Sequence, residues 1–174
     1  MSSTPTVRAA LPEDADAFAA CHLACWREAY EELWGAERFD EFDVDRMAVR
    51  RRKEIEAGIA QHFLGELDGE VIGIAIAGPT RDADSPTEQE LYAIYVRAAH
   101  QGSGLADDLI GITASNRDTS VWVLPGNARG RAFYRRHGFR ADGAETVDDS
   151  TGARQIRMVR RAAGVSVSSW QNQR

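Results

Sequence analysis

The stretch that most restricts what this chain can fold into is Glu90 to Ala106, ELYAIYVRAAHQGSGLA. Leu91 to Val96 are aliphatic, aromatic or β-branched apart from Ala93, which predicts a strand buried on both faces. Gly102 and Gly104 then allow a tight turn and close backbone approach to a ligand. From Leu105 the apolar positions Leu105, Leu109 and Ile112 follow a helical period. A strand that passes through glycines into a helix N-terminus aims unpaired N–H groups and the positive end of the helix dipole at one point, which suits a pyrophosphate. Taken alone, the glycines also fit an ordinary strand-to-helix turn.

Two motifs narrow the reading. Gln101-Gly102-Ser103-Gly104-Leu105-Ala106 resembles the Gln/Arg-x-x-Gly-x-Gly/Ala pattern by which the GNAT superfamily of acyl-CoA-dependent N-acetyltransferases holds the pyrophosphate of coenzyme A. Downstream, Val121 to Leu124, Asn127 and Ala132 to Phe139 resemble the second signature of that superfamily, in the right order, and the resemblance runs from about Val7 to Arg160. It implies an α/β fold: a mixed, mostly antiparallel sheet of about seven strands with a central splayed parallel pair and helices on both faces. It also implies acetyl-CoA as cosubstrate, with the pantetheine arm pairing to main chain around Ile94, Tyr95 and Val96. By the same resemblance, Asn127 bonds that arm, Arg129 and Phe133 adjoin the cofactor, and Tyr134 donates a proton to the departing thiolate. Glu90 precedes Gln101 by eleven residues, the separation at which relatives carry a glutamate base. Asp107 and Asp108 stand where many relatives carry a cation, so Arg97, His100, Arg129 and Arg131 are the groups expected to offset them. Gly130 stands where alanine is usual.

The chemistry asks for such a base. A primary ammonium at neutral pH must lose a proton before it attacks, at a cost of about 4 to 5 kcal/mol. Glu90 lies six residues before Val96, roughly 20 Å of strand, which carries it from the pyrophosphate end toward the acyl end. The same glutamate also fits a strand-edge residue paired with an arginine, or one that binds a cationic acceptor.

The remaining chain reads as one domain, residues 1–161, followed by a small polar tail, 162–174. Pro12 to about Leu33 is predicted as an amphipathic helix with acidic residues in its first turn, and Trp26 and Tyr30 near its end as one wall of the acceptor pocket. Asp43 caps a second helix, Val44 to Ala57, whose basic run Arg50 to Lys53 reads as a solvated surface. Gln61 to Leu67 and Glu70 to Ala77 are strands joined by a type I′ turn at Asp68-Gly69. Pro79 to Gln89 reads as a mobile loop, Ser120 to Leu124 as a strand parallel to the central one, Asn127 to His137 as a helix, and Phe139 to Arg161 as a final hairpin. The tail with its lone Trp170 is either disordered or a strand exchanged in a homodimer.

Composition excludes several classes. With net charge −6 the chain is no general nucleic-acid binder, and no apolar run reaches the ~20 residues of a membrane span. A cytoplasmic location is expected. Cys21 and Cys25 sit four apart on one helix, and with His22 they lack a second cluster to complete a metal site, so no metal is expected. They also lie away from the cofactor motifs, which argues for direct attack rather than an acyl-enzyme. The expected partner is a small-molecule or peptide amine. The rival reading is a non-catalytic acyl-CoA-binding module or sensor on the same fold.

Overall fold

The computed structural model describes residues 3–149 and 151–163. Trp170 lies outside them. Seven strands form one sheet: β1 (Thr6–Ala9), β2 (Gln61–Leu67), β3 (Glu70–Pro79), β4 (Gln89–Val96), β5 (Thr119–Val123), β6 (Arg140–Val147) and β7 (Arg154–Arg160), in the order β1-β2-β3-β4-β5-β7-β6. All neighbours are antiparallel except β4 and β5. Between β2 and β3, Asp68 and Gly69 both take positive φ, 51° and 83°, as a type I′ turn requires.

Helices flank the sheet: α1 (Ala15–Trp34), α2 (Glu37–Asp40), α3 (Val44–Ala57), α4 (Leu105–Thr113) and α5 (Ala128–Arg136). Strand alternation, reset in β3 by the irregularity opposite Gly65/Glu66 that skips Ile72, sorts the core into two faces. Leu64, Ile74 and Ile76 pack with Phe18, Cys21 and Cys25 of α1. Phe63, Ile72 and Ala75 pack with Leu105 and Leu109 of α4. A third cluster joins Leu91, Val121 and Val123 to Ile110, Tyr134 and Phe139.

The structure differs from the sequence reading in four places. The turn at Pro12–Asp14 is 3₁₀ and the α-helix proper starts at Ala15, because Asp14 bends back to receive Leu11 N–H at 2.7 Å and Arg8 at 2.7 Å. The short α2 was not foreseen. In the basic run, Arg51 turns inward, its side chain 14% exposed, onto Glu54 and the ring of Phe18, while Arg50, Arg52 and Lys53 stay at the surface. Finally, the segment 80–88 is tethered. Trp122 Nε1 donates to Asp82 at 2.8 Å, the buried Arg157 lies between Asp82 and Asp142, and Arg161 donates to Pro86 O at 2.9 Å. Its ends close through Thr80 N–H to Glu88 O at 2.9 Å.

Candidate active site

The parallel pair is short. β4 and β5 are in register over Gln89↔Thr119, Glu90↔Ser120 and Leu91↔Val121, after which the strands part. Gln89 stitches this seam from within: its side chain donates to Thr113 O, and its own carbonyl accepts from Thr87 and Ser120 hydroxyls. Beyond Leu91, β4 stays paired to β3 as far as Val96↔Gly73, so the edge of Tyr92–Val96 that faces β5 is left without a ladder partner. A long cleft opens there, floored by β4 and walled by α1, α3 and α5.

At the C-terminal end of β4 the chain turns through Gly102 and Gly104, with φ of 83° and 89°, into α4. The first intrahelical bond of α4 comes from Asp108 N–H to Gly104 O at 3.1 Å; the N–H groups of Gln101, Ser103 and Leu105 are engaged by Ala98 O, His100 O and Ser103 Oγ, and those of Gly102, Gly104 and Ala106 have no acceptor among the described residues. Gln101, Gly102, Gly104 and Ala106 line the cleft, whereas Ser103 and Leu105 do not. Ser103 Oγ accepts from Leu105 N–H at 3.4 Å. The Leu105 side chain, 1% exposed, points into the sheet, where a Cβ on Gly65 would stand 2.6 Å from its methyl carbons and one on Gly73 would stand 3.0 Å away. These two glycines face each other in register, Gly65↔Gly73, and form a notch that seats the start of α4. Sequence reasoning missed both; the signal was an isolated glycine inside each of two strand patterns, which marks close approach of another element.

The expected offset of Asp107 also needs correction. Arg97 is engaged by Glu28 at 2.9 Å and Arg131 by Pro125 O at 2.9 Å, while Asp107 pairs with Arg136 at 2.8 Å and hydrogen-bonds His137 Nε2 at 2.7 Å. These partners hold the Asp107 carboxyl below its usual range. These contacts tie α4 to the end of α5. Arg129 remains exposed and unpaired at the cleft among the described residues.

Asn127 caps α5, its Oδ1 accepting from Gly130 N–H at 2.8 Å, which leaves its amide N–H groups as donors. Glycine at 130 is explained by this cap, since a Cβ there would lie 2.7 Å from Asn127 Nδ2. Phe133 is half-buried, edge-on to Tyr134 with ring centroids 5.5 Å apart. Tyr134 is 9% exposed and lines the cleft. Burial, then Tyr30 nearby, pushes its phenol up. Burial and Tyr30 act likewise on Tyr95, whose oxygen accepts from Trp26 Nε1 at 3.1 Å. Trp26 and Tyr30 lie on α1 and line the cleft, with Trp34 stacked on Tyr30 at 4.7 Å and Phe42 against Trp26 at 5.1 Å. Of the proposed main-chain contacts, Ile94 also packs into the α4 cluster.

Glu90 is 1% exposed and paired with Arg81, the arginine-bound alternative of the sequence reading. Cys21 and Cys25 are buried with their sulfurs 4.0 Å apart. The Cys25 thiol is pushed up by Cys21 and by burial, which keeps it from serving as a thiolate nucleophile. Among the described residues, no cluster of three or more His, Cys, Asp or Glu is arranged to hold a metal ion, and no helix is long and apolar enough to cross a membrane.

The sheet is thus split open between two parallel strands, with a glycine turn and a helix N-terminus at the end of the gap, the α/β arrangement that the resemblance to the GNAT superfamily implies. Residues 58–141 match the acetyltransferase (GNAT) domain family. The chain is 25% identical over 142 residues to a probable N-acetyltransferase of Mycobacterium tuberculosis, covering 79% of this chain and 80% of that one. It is 27% identical over 135 residues to an uncharacterised N-acetyltransferase of Bacillus subtilis, covering 77% and 66% respectively. Among solved structures, the PaiA N-acetyltransferase of Thermoplasma acidophilum in complex with coenzyme A superposes with a TM-score of 0.69 at 15% identity, over 91% of this chain and 99% of that one. Together these likenesses support a GNAT superfamily acetyltransferase.

Proposed function

We propose that residues 1–161 form one catalytic domain that moves an acetyl group from acetyl-CoA to a primary amine by direct attack. The observation that carries this reading is the free edge of Tyr92–Val96, which runs from the seam at Leu91 to the glycine turn at Gly102. An extended pantetheine arm fits such an edge as a strand would, through main chain at Ile94, Tyr95 and Val96. Within the motif Gln101 to Ala106, the N–H groups of Gly102, Gly104 and Ala106 take the pyrophosphate, while Ser103 and Leu105 hold the turn in shape through their own hydrogen bond. Arg129 supplies a cation, Asn127 a donor to the arm, and Phe133 an apolar wall.

The main-chain N–H groups of the open edge polarise the acetyl carbonyl. Glu90, through a water held by its carboxylate, receives the proton that the attacking amine releases. Direct contact is blocked, because Arg81 occupies both carboxylate oxygens. The new C–N bond forms as the C–S bond breaks, and Tyr134, kept protonated at neutral pH by burial, gives its proton to the leaving sulfur. Trp26 and Tyr30 wall the acceptor.

The closure of Glu90 by Arg81 favours one second reading, a non-catalytic acyl-CoA sensor. Release of free thiol from acetyl-CoA in the presence of a panel of amines separates the two. In the enzyme, Glu90→Gln lowers kcat/KM by ~10² to 10⁴, and the loss shrinks at high pH where the amine needs no help. A variant equally weak at every pH assigns Glu90 to binding instead, and wild-type rates remove it from the proton path.

A further inference from the structure

Arg81 is held in an unusual way. Its backbone N–H donates to Glu90 Oε2 at 3.0 Å, and its Nε, at 3.1 Å, and Nη2 both donate to Glu90 Oε1. Glu90 is buried with 1% of its side chain exposed, whereas 61% of the Arg81 side chain is open to the cleft. Below the guanidinium lies the ring of Tyr92, 4.3 Å from its central carbon, and Tyr92 is fixed by donating to Pro79 O. One edge of the guanidinium is therefore clamped and one face is covered. The other edge, Nη1 with the second N–H of Nη2, has no acceptor among the described residues. Its neighbour Asp82 is already taken by Trp122 and Arg157.

A planar cation that is immobilised on one edge and open on the next is a receptor for a carboxylate, which takes two parallel N–H bonds. An ordinary surface arginine loses side-chain freedom on binding an anion; this one has already lost it. Its position says whose carboxylate it receives. Glu90 is six residues from Val96, so Arg81 stands roughly 20 Å from the pyrophosphate turn, too far to serve the cofactor. Glu90, which holds it, is only two to four residues, roughly 7 to 13 Å, from the main chain of Tyr92 to Ile94, the part of the open edge farthest from that turn, where the acyl end of an extended arm would lie.

Building on the N-acetyltransferase reading, we propose that the acceptor is an amino carboxylate, with Arg81 as the receptor for its carboxylate and Glu90 as the residue that positions Arg81. The short span from receptor to acyl group selects a compact acceptor, an amino acid. The half-buried rings of Trp26, Tyr30 and Trp34 on the facing wall select one with an aromatic or bulky apolar side chain.

The test compares L-phenylalanine with L-phenylalaninamide as acceptors for the wild-type protein and acetyl-CoA. The amide has the less basic amine and so holds more free base at neutral pH; a preference for the acid is then a preference for its carboxylate. The expected kcat/KM ratio of acid to amide is about ten to a hundred. Arg81→Met brings the ratio to about one, and Arg81→Lys, which keeps the charge and loses the fork, lowers it several-fold. Calorimetry of the two N-acetylated products on the coenzyme A-saturated protein reads the same receptor without turnover. Equal or absent binding of these products, an acid-to-amide ratio of one or below in the wild type, or a ratio unchanged in Arg81→Met overturns the proposal. Selective binding of N-acetyl-L-phenylalanine without any transfer upholds the receptor and contradicts the transferase reading.

Discussion

Replacing Gly65 by alanine tests whether the notch in the sheet sets the position of the cofactor turn. The new Cβ would stand 2.6 Å from both methyl carbons of Leu105, against 3.4–4 Å for ordinary contact, and Leu105 is 1% exposed and has nowhere to go. Overpacking of this kind costs about 1 to 3 kcal/mol. Part of the strain is relieved by lifting the start of α4, which moves the donors beside Gly104, so coenzyme A binding falls about tenfold, equivalent to ~1.4 kcal/mol. Leu105→Ala alone leaves a cavity and costs about 2 to 5 kcal/mol. In the double variant the added methyl sits in the space the leucine vacates. Its destabilisation is therefore smaller than the sum of the single costs by about 1 to 3 kcal/mol, and most of the cofactor affinity returns. Urea unfolding of the four proteins gives the stability cycle, and calorimetry with coenzyme A gives the binding cycle. Strict additivity in the first, or an undiminished affinity in Gly65→Ala, would refute the argument that the two glycines seat the helix.

Two further outcomes follow from the site and from the buried histidine. Tyr134→Phe keeps coenzyme A affinity within a few-fold and lowers turnover by about 10² or less, a loss that stays constant across neutral pH because burial keeps the phenol protonated there; unchanged turnover removes Tyr134 from the mechanism. Burial, then the Arg51 charge, pushes His22 down to about 4 from 6.5, so its neutral form stabilises the fold above about pH 6.5 and that contribution, ~3 kcal/mol at most, is lost as pH falls toward 4. His22→Phe, at a position that lies tilted between the rings of Trp26 and Tyr95, should have a shallower loss of stability over that window, measured as urea midpoints at matched pH; an unchanged slope would exclude His22 as its source.

What was legible in the sequence was what depends on nearby residues. The period of α3, its Asp43 cap and the Asp68-Gly69 turn are local facts, and the structure places them within a residue of the reading. The motif Gln101 to Ala106 gave the turn and the helix start, because φ near 90° at Gly104 is a property of the motif itself. What stayed hidden was pairing across the fold. Arg51 reads as a surface cation until Phe18 is brought to it, and nothing near Arg157 in the sequence announces the Asp142 and Trp122 that enclose it. Arg81 lies in a segment whose composition suggested only motion. Its contact with Glu90, nine residues on, exists because β3 and β4 are antiparallel neighbours that hold Gly78 opposite Glu90. The function of Asp107 likewise depends on α5, some thirty positions away.

The three residue pairs between β4 and β5 have a mechanical meaning as well. They join a four-stranded half, β1 to β4, to a three-stranded half, β5 to β7, through a seam shorter than any of the ladders within either half, which hold four to seven pairs. Across so narrow a backbone seam the halves are held mainly by side chains, the cluster of Leu91, Val121 and Tyr134 and the Asp82 tethers, so opening there takes less work than unfolding either half. A ligand laid along the free edge of β4 and gripped by α5 bridges both halves at once. Its binding therefore slows hydrogen exchange in strands it never touches, β6 and β7 among them, and the sheet that begins as two cooperative blocks melts as one.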